Sequence, residues 1–426
     1  MAGKIRRKPP PIPGSAESTD IEDEDAQVFK AAGFEAISKM LHKVYPKQKN
    51  HLQAMALVKF WMGGPDPLDF ISMLHHIGDA DRGIPEHWHY VTFGFSDLHG
   101  DGRVHEYTGK GKQSGFGMEL SFRLRRKDKE ENAPMWPATL LNSLARYVFK
   151  TGNVLNCGDH VPWNRPLDGL SQSKIQHMLV TEDPELKSLD TPYGFMQFRQ
   201  VVGITEAEMR AVQKWKGSGV VDLLSRVPHA GGVYLVTDMH RKHSIFDLDK
   251  SYMHVVRDSI EREGSNLGHV TSACLWEEAM SSKENNANLI NKLLELNGNN
   301  HKSDTVHIRL DLEAAELLPL IVKGRLMKGR YFVFQNVTGQ VIIFIPPEFK
   351  ADMIMVDANN PVMVDGKALQ IYCTHEFIKQ MAQKFSILDN TEQIRNSLPR
   401  VFNLHDPNLT MTVVPVGHIP ISNGHY

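Results

Sequence analysis

Two histidines separated by one residue are the part of the sequence best suited to chemistry. In the run Pro85-Glu86-His87-Trp88-His89-Tyr90, His87 and His89 would lie on the same face of a strand. Metal enzymes built on sheets present two of their ligands in this way, and His99 or His105 could supply a third. One hypothesis is therefore a metal-dependent enzyme that uses His87 and His89.

The surroundings of this pair favour a structural role instead. No Glu lies within the strand-like run Tyr90–Phe95 to complete a ligand set, and a chain with 21 histidines contains such pairs by chance. We expect a strand entry in which Trp88 is buried and both imidazoles make hydrogen bonds. The turn Asp97–Gly102 is not a calcium loop, because the twelfth position is Thr108 where a bidentate Glu is required. The sequence thus predicts a protein that is not an enzyme and binds no metal or cofactor.

Length, charge and cysteine count bound the class of protein. The 426 residues suffice for two or three domains, because one core rarely serves more than about 250–300 residues. Lys and Arg number 48 against 50 Asp and Glu, a balance that argues against direct binding to nucleic acid. No apolar run reaches the roughly 20 residues of a spanning helix, and no secretory signal opens the chain. Cys157, Cys274 and Cys373 lie too far apart for a disulfide framework, which favours a reducing compartment.

Apolar spacing predicts a mixture of helices and strands. The predicted helices are Phe34–Val44, Pro137–Lys150, a segment opened by a Thr205/Glu208 capping box and ended at Gly217–Gly219, and Thr374–Phe385. The predicted strands are Tyr90–Phe95, Glu119–Arg125, Gly231–Val236, Val306–Leu312, Pro319–Lys323 and Tyr331–Gln335. Strands and helices do not alternate regularly. The pattern therefore indicates the α+β class, with two mixed-sheet domains and flanking helices joined by a short linker.

Three segments are expected to lack a packed core. They are a disordered tail at 1–26, a flexible low-complexity loop at 277–304 rich in Ser, Lys and Asn, and a flexible tail at 416–426. The basic cluster Lys4–Lys8 could be a nuclear import signal or simply part of the solvated tail. A second basic run, Arg123–Lys127, meets acidic residues, and we interpret it as a solvated hairpin tip rather than a nucleic-acid patch.

Several long runs carry a resemblance to a known family. They are Trp61-Met-Gly-Gly-Pro-Asp-Pro-Leu-Asp, Ile84-Pro-Glu-His-Trp-His-Tyr, Ser114-Gly-Phe-Gly-Met-Glu-Leu, Leu144-Ala-Arg-Tyr-Val-Phe, Ile175-Gln-His-Met-Leu-Val-Thr-Glu-Asp-Pro and Gly324-Arg-Leu-Met-Lys-Gly-Arg. In these runs the chain resembles the Suppressor of fused family of Hedgehog pathway regulators. The resemblance extends over nearly the whole chain between residues 30 and 385.

The resemblance implies a domain organisation and a set of partners. It implies an N-terminal domain at 27–266 and a C-terminal domain at 267–415 that contains the loop 277–304. Family members bind Gli/Ci zinc-finger transcription factors and keep them in the cytoplasm or in a repressed state, and they act in the cytoplasm and the nucleus. Further implied partners are the kinase Fused and scaffold proteins of the pathway. We expect a monomer that contacts neither nucleic acid nor membrane. A general peptide-binding module with another partner is the alternative.

The resemblance also implies a binding site. A Ser-Tyr-Gly-His motif of the partner would be gripped as an added β-strand between the two domains. The implied site residues are Tyr147, Leu155 and Asp159 from the first domain and Val270, Glu313 and Leu317 from the second. Asp159 and Glu313 would face the motif His and favour its imidazolium form, Tyr147 would form an aromatic wall, and Leu155 and Leu317 would supply apolar packing. From the residues alone, Tyr147 could equally be helix core and Asp159 a turn residue.

Overall fold

The fold is described from a computed structural model. It describes residues 31–169, 172–278, 301–302, 306–389 and 394–419. The predicted tail at 1–26 lies outside the described residues, as do most of the loop 277–304 and of the tail 416–426. Within the described ranges, no helix is both long enough and apolar enough to cross a bilayer.

The described chain forms two compact units. The first unit contains the residues up to Val212 together with Lys216–Tyr252, and the second unit contains Gln213–Trp215 and the residues from Met253 onward. Each unit combines helices with mixed sheets. This arrangement confirms the predicted α+β class.

Residues 32–248 form five helices and eight strands within the described ranges. The helices are α1 (Ala32–Val44), α2 (Trp136–Thr151), α3 (Glu206–Lys214), α4 (Gly217–Ser225) and α5 (Ile245–Leu248). The strands are β1 (Leu52–Met55), β2 (Phe70–His76), β3 (His87–Phe93), β4 (Gln113–Arg125), β5 (His160–Val161), β6 (Ile175–Glu182), β7 (Leu189–Thr191) and β8 (Gly194–Thr205). They form one sheet in the order β1-β2-β3-β4-β8-β6-β5, with β7 on β8. Neighbours are antiparallel except β4 and β8, which are parallel.

The sheet of the first unit supports a separate apolar core on each face. Because successive strand residues point to opposite faces, Tyr90 and Val91 of β3 belong to different cores. α1 packs on one face through Ile37 and Leu41, and α2 packs on the other around Leu144. Both helices were predicted because their apolar residues recur at helical spacing on one side, and both predictions are confirmed.

The second unit contains two sheets around one core. Its helices are α6 (Ser251–Glu263, whose first two residues belong to the first unit), α7 (Leu312–Ala315), α8 (Leu318–Gly324) and α9 (His375–Phe385). Its strands are β9 (His269–Thr271), β10 (Cys274–Glu278), β11 (His301–Lys302), β12 (Val306–Asp311), β13 (Phe332–Gln335), β14 (Val341–Ile345), β15 (Val362–Asp365), β16 (Ala368–Tyr372), β17 (Arg400–Leu404) and β18 (Leu409–Val414). The sheet orders are β10-β12-β18-β17 and β11-β15-β16-β14-β13-β9.

Three local predictions are wrong. Gly231–Val236 is not a strand but contains the short 3-10 turn Gly232–Tyr234, because Gly231, Gly232 and Leu235 all have positive φ. Pro319–Lys323 belongs to the helix α8, which is largely buried, so its sequence has the continuous apolar character of a core strand. Gly217–Gly219 does not end a helical segment but begins α4.

Candidate functional site

The histidine pair lies in the core of the first unit and is fully engaged. His87 donates from Nδ1 to a backbone carbonyl at 2.7 Å and accepts at Nε2 from Arg123 at 2.9 Å. His89 accepts at Nδ1 from the Tyr45 hydroxyl at 2.8 Å and donates from Nε2 to Asp183 at 3.1 Å. The Arg123 guanidinium can only donate and the Asp183 carboxylate can only accept, so they fix the tautomers of the two neutral rings, and the Tyr45 hydroxyl donates to the nitrogen of His89 that carries no proton. No ring nitrogen is left to ligate a metal ion.

Arg123 is the centre of this buried network. Its side chain and that of Asp183 are fully buried and ion-paired at 3.0 Å, and Glu185 lies at 3.0 Å from the same guanidinium. Burial and the Arg123 charge lower the pKa of His87 to about 2, so the ring stays neutral. Burial alone would raise the pKa of Asp183, but Arg123 and the His89 hydrogen bond hold it well below its usual range. The network is therefore a structural ion cluster. The prediction that Arg123–Lys127 forms a solvated hairpin tip is wrong for Arg123, which is buried.

Treatment with a metal chelator should leave the thermal stability of the protein unchanged. Because both nitrogens of His87 and His89 are already hydrogen-bonded, dialysis against EDTA should not shift the Tm, and added zinc should not raise it. Among the described residues, no cluster of His, Cys, Asp or Glu could hold an ion. Thermal denaturation with and without zinc checks this expectation. A zinc-dependent rise in Tm that His87→Ala abolishes would restore the enzyme hypothesis.

The three predicted site residues of the first unit follow one another around the end of α2. Tyr147 projects from α2 with 46% of its surface exposed, and its hydroxyl accepts a hydrogen bond from Asn153 at 3.1 Å. Leu155, in contrast, is only 6% exposed and packs in the core beneath α2. The segment from Leu155 then leads through Asp159 directly into β5. An exposed aromatic ring thus lies near the end of α2, and a carboxylate lies at the entry to β5.

Asp159 stands at the beginning of the last strand of the sheet. Its carboxylate accepts the backbone N–H of Asn156 at 2.7 Å, and its carbonyl accepts that of Val180 in β6 at 2.8 Å. β5 pairs with β6 on one side and with no strand on the other within the described ranges. Alternate residues of an antiparallel strand bond to the neighbouring strand. Because Asp159 bonds to β6, the N–H and C=O groups of His160 point to the unpaired edge.

Two contacts fix the segment that precedes β5. Arg199 of β8 donates a hydrogen bond to the carbonyl of Leu155, and the N–H of Gly158 bonds to Val180 at 2.8 Å. The start of α4 packs so closely that a Cβ at Gly217 would overlap the carbonyl oxygen of Gly158. The position of the Asp159 carboxylate is therefore set by the rigid sheet and not by a free loop.

Val270 lies in β9, the last strand of the six-stranded sheet in the second unit. β9 runs parallel to β13: the N–H of Val333 in β13 donates to the carbonyl of Gly268 at 3.0 Å, and the N–H of Ser272 donates to the carbonyl of Gln335 at 2.9 Å. Because alternate residues of a strand face the same neighbour, the backbone groups of Val270 also point to β13. Those of His269 and Thr271 point away from it. In the part of the chain that the structure describes, no strand pairs with this outer edge. The second unit therefore also presents an edge strand at the predicted position.

Glu313 and Leu317 lie on and after the short helix α7. Asp311 caps α7 by accepting the N–H of Ala314 at 2.9 Å, and its own N–H bonds to Ala273, two residues beyond β9, at 3.2 Å. Glu313 is exposed, and no described residue gives it an ion pair or hydrogen bond. Leu317 is half-buried against the same core as β9. The Glu313 carboxylate, which has no ion-pair partner among the described residues, therefore lies on α7, directly after β12. The apolar side chain of Leu317 lies just after α7.

The surface around Glu313 is electrostatically negative. Burial, together with the negative charges of Glu313 and Glu316, raises the pKa of Asp311. A cation bound near α7 would relieve this repulsion, whereas an anion would add to it. The local field therefore favours a ligand with a positive charge.

Sequence reasoning missed the outward backbone groups of β5 in the first unit and of β9 in the second. β5 has two residues and β9 three, and no period can be recognised in runs so short. Arg199 was also missed. A charged residue in the middle of a strand, between Phe198 and Gln200, was the available signal, because a partly buried Arg usually has a specific acceptor.

Comparison with known proteins agrees with this organisation into two parts. Residues 64–242 match the family model of the Suppressor of fused protein, and residues 298–413 match that of the Suppressor of Fused Gli/Ci N terminal binding domain. The human Suppressor of fused homolog is 35% identical over 448 aligned residues, which cover 90% of this chain and 92% of that protein. The mouse homolog is 36% identical over the same extent.

Solved structures give the same relationship. The crystal structure of Drosophila Suppressor of Fused is 33% identical and superposes with a TM-score of 0.73, covering 90% of this chain and 97% of that chain. A chain from the crystal structure of a Sufu–Fu complex is 45% identical with a TM-score of 0.51, covering 53% of this chain and 96% of its own length. The protein described above belongs to the Suppressor of fused family of Hedgehog pathway regulators.

Proposed function

We propose that this protein is a non-enzymatic negative regulator that binds a Gli/Ci transcription factor through a Ser-Tyr-Gly-His motif. In this proposal the motif is an extended strand that the edge strands β5 and β9, one from each unit, grip from its two sides. The observation that carries the proposal is that Asp159 directly precedes β5 and Val270 lies in β9, the last strands of the eight-stranded and the six-stranded sheet. The match of residues 298–413 to a Gli/Ci binding domain supports the choice of partner.

The proposed grip uses backbone bonds for affinity and side chains for specificity. The outward backbone groups of His160, and those of His269 and Thr271, would bond to the motif as neighbouring strands do. Alternate motif side chains would then meet different protein groups. The carboxylates of Asp159 and Glu313 would both attract the motif His, since neither is ion-paired within the described residues.

The proposal includes a second partner and a cellular location. A Fused-type kinase is proposed as a partner because a related chain crystallised in a Sufu–Fu complex. Action in both cytoplasm and nucleus is proposed because the main partner is a transcription factor. Co-precipitation of tagged protein from separated cytoplasmic and nuclear fractions tests both statements. Absence of the kinase from both precipitates would count against the first statement, and absence of the transcription factor from the precipitate of either fraction would count against the second.

Binding of the motif should weaken as pH rises. The motif His has a free pKa of about 6.5, and two facing carboxylates would raise it in the complex. If the pKa of the motif His is raised in the complex, the resulting gain in binding free energy is complete at pH values below the pKa of the free peptide. The gain is lost as pH rises through the pKa of the bound peptide. For a rise of one pKa unit we expect binding about sixfold weaker at pH 8 than at pH 6, because the full factor of ten is reached only well below and well above both pKa values. Anisotropy titrations across this range measure the effect.

A second peptide separates this effect from titration of the protein. His160 lies beside Asp159, and burial lowers its pKa. A peptide with Arg in place of the motif His keeps its charge throughout, so its affinity should vary little with pH. An equal loss for both peptides would assign the dependence to the protein and would contradict the proposed contact.

A further inference from the structure

A second unpaired edge lies at the opposite end of the first unit's sheet. Among the strands that the structure describes, β1 pairs only with β2, and the run Leu52–Val58 that contains it is uncharged and free of proline. Natural edge strands are normally protected by charges or prolines. Instead, large apolar side chains are exposed here, with Met55 62% and Leu57 100% exposed. The exposed set is Leu52, Met55, Leu57, Val58, Trp61 and Met62.

The backbone of β1 offers a regular set of unpaired groups. The N–H of Ala56 bonds to Asp69 at 3.5 Å, which makes this a hydrogen-bonded pair in the β1–β2 register. Because alternate residues of a strand face the same side, the backbone N–H and C=O groups of Ala54 also point to β2. Those of Gln53 and Met55 point away from it. An incoming strand would therefore find its hydrogen-bonding partners already in place.

A cavity opens on each face of the sheet beside this edge. One, of about 700 Å³, has Leu52, Met73 and Trp88 in its lining. The other, of about 580 Å³, is lined by Leu41 and Leu74 among others, and lies between α1 and the sheet. A strand added to β1 would direct alternate side chains to opposite faces. Each set of side chains would thus meet a cavity with an apolar floor.

Two lysines, Lys47 and Lys49, supply the positive charge in the linings of these cavities, and two histidines add polar rings. The loop Pro46–His51 separates them, and Lys49 and His51 line both. Lys47 lines the first cavity and His42 the second. The single acidic residue in either lining is Glu131. This charge distribution favours a partner whose apolar core is flanked by carboxylates.

We propose that the free edge of β1 is a docking site for an extended partner segment with an apolar core and acidic ends. The segment joins the sheet as a further strand, places its alternate side chains in the two cavities, and sets its carboxylates near Lys47 and Lys49. This surface is separate from the one at β5, because β1 and β5 are the two ends of the same sheet. The first unit can therefore hold two extended segments at once.

A fluorescent probe peptide tests the docking site on the full-length protein. The probe has the core Leu-Val-Tyr-Val-Leu with two glutamates at each end, and its matched control has lysines in place of the glutamates. We expect saturable binding of the acidic probe in anisotropy titrations and at least tenfold weaker binding of the basic one. Equal binding of the two peptides, or no binding of either, would overturn the proposal.

Two substitutions locate the probe on the protein. Met55→Pro removes an outward N–H without removing a bond to β2 and should weaken binding at least tenfold. Leu57→Glu should do the same by repelling the acidic ends, and it cannot disturb packing because Leu57 is fully exposed. Val401→Glu, on the edge strand β17 of the second unit, is the matched control and should have no effect. Retention of full affinity by Leu57→Glu would exclude this site.

Two further outcomes are informative. Asp159→Arg should leave binding of the probe intact, so failure of the β1 site and failure of the motif site are distinguishable. If light scattering instead finds a dimer that Met55→Pro dissociates, a second copy of the chain is the occupant and the proposed acidic segment is wrong.

Discussion

Replacing Arg123 with methionine is expected to destabilise the first unit by about 3–5 kcal/mol. The substitution leaves Asp183 as a fully buried carboxylate without its cation and removes a donor from His87. An uncompensated buried charge costs far more than the loss of an exposed ion pair. Urea denaturation monitored by tryptophan fluorescence measures the change in the free energy of unfolding.

Arg125 provides the matched control, because it lies two residues further along β4. Its side chain is 49% exposed and pairs with Asp238 at 3.0 Å. Arg125→Met should cost less than about 1 kcal/mol, as exposed ion pairs usually do. Adding Asp183→Asn to Arg123→Met should recover part of the loss, since it removes the unpaired charge. Equal effects of Arg123→Met and Arg125→Met would refute the role given to the buried cluster.

Charge reversal at the proposed motif site should reduce peptide affinity about 100-fold for each of Asp159→Arg and Glu313→Arg. Each change replaces an attraction to the motif His with a repulsion, and truncation of such contacts alone typically costs 2–5 kcal/mol. Anisotropy titration with a labelled Ser-Tyr-Gly-His peptide measures the loss.

Two exposed aspartates serve as controls with the same change of charge. Asp190 lies on β7 of the first unit, and Asp365 lies on β15 of the second. Asp190→Arg and Asp365→Arg should change the affinity less than threefold, an effect of net charge alone. If all four variants lose affinity to the same degree, the effect is one of net charge, and the assignment of Asp159 and Glu313 is wrong.

The elements with long one-sided patterns could be predicted from the sequence. α1, α2 and α9 carry apolar residues at helical spacing, and the predicted bounds agree with the structure within two residues. The helix α8 could not be identified, because a buried helix is apolar on all sides and loses its periodic signal. The error at Arg123 has another cause: in a strand, Arg123 and Arg125 share a face, and only tertiary packing decides which of them is covered.

The candidate site was predictable only in part. The family resemblance pointed to Asp159, Val270 and Glu313, but no pattern within the chain indicated that β5 and β9 end their sheets. Edge position is a property of the assembled sheet, and short edge strands carry almost no sequence signal. The interpretation of a strand entry with Trp88 buried and both imidazoles hydrogen-bonded needed no family knowledge, and the burial of Trp88 and the contacts of the two rings confirm it.

The most direct test of the proposed function is titration of the full-length protein with a labelled Ser-Tyr-Gly-His peptide at pH 6.5. A peptide with Ala in place of the motif His is titrated beside it. The proposal predicts saturable binding with one peptide per chain and affinity at least tenfold weaker for the Ala peptide. Absence of binding, or equal binding of both peptides, would contradict a site built to hold the motif.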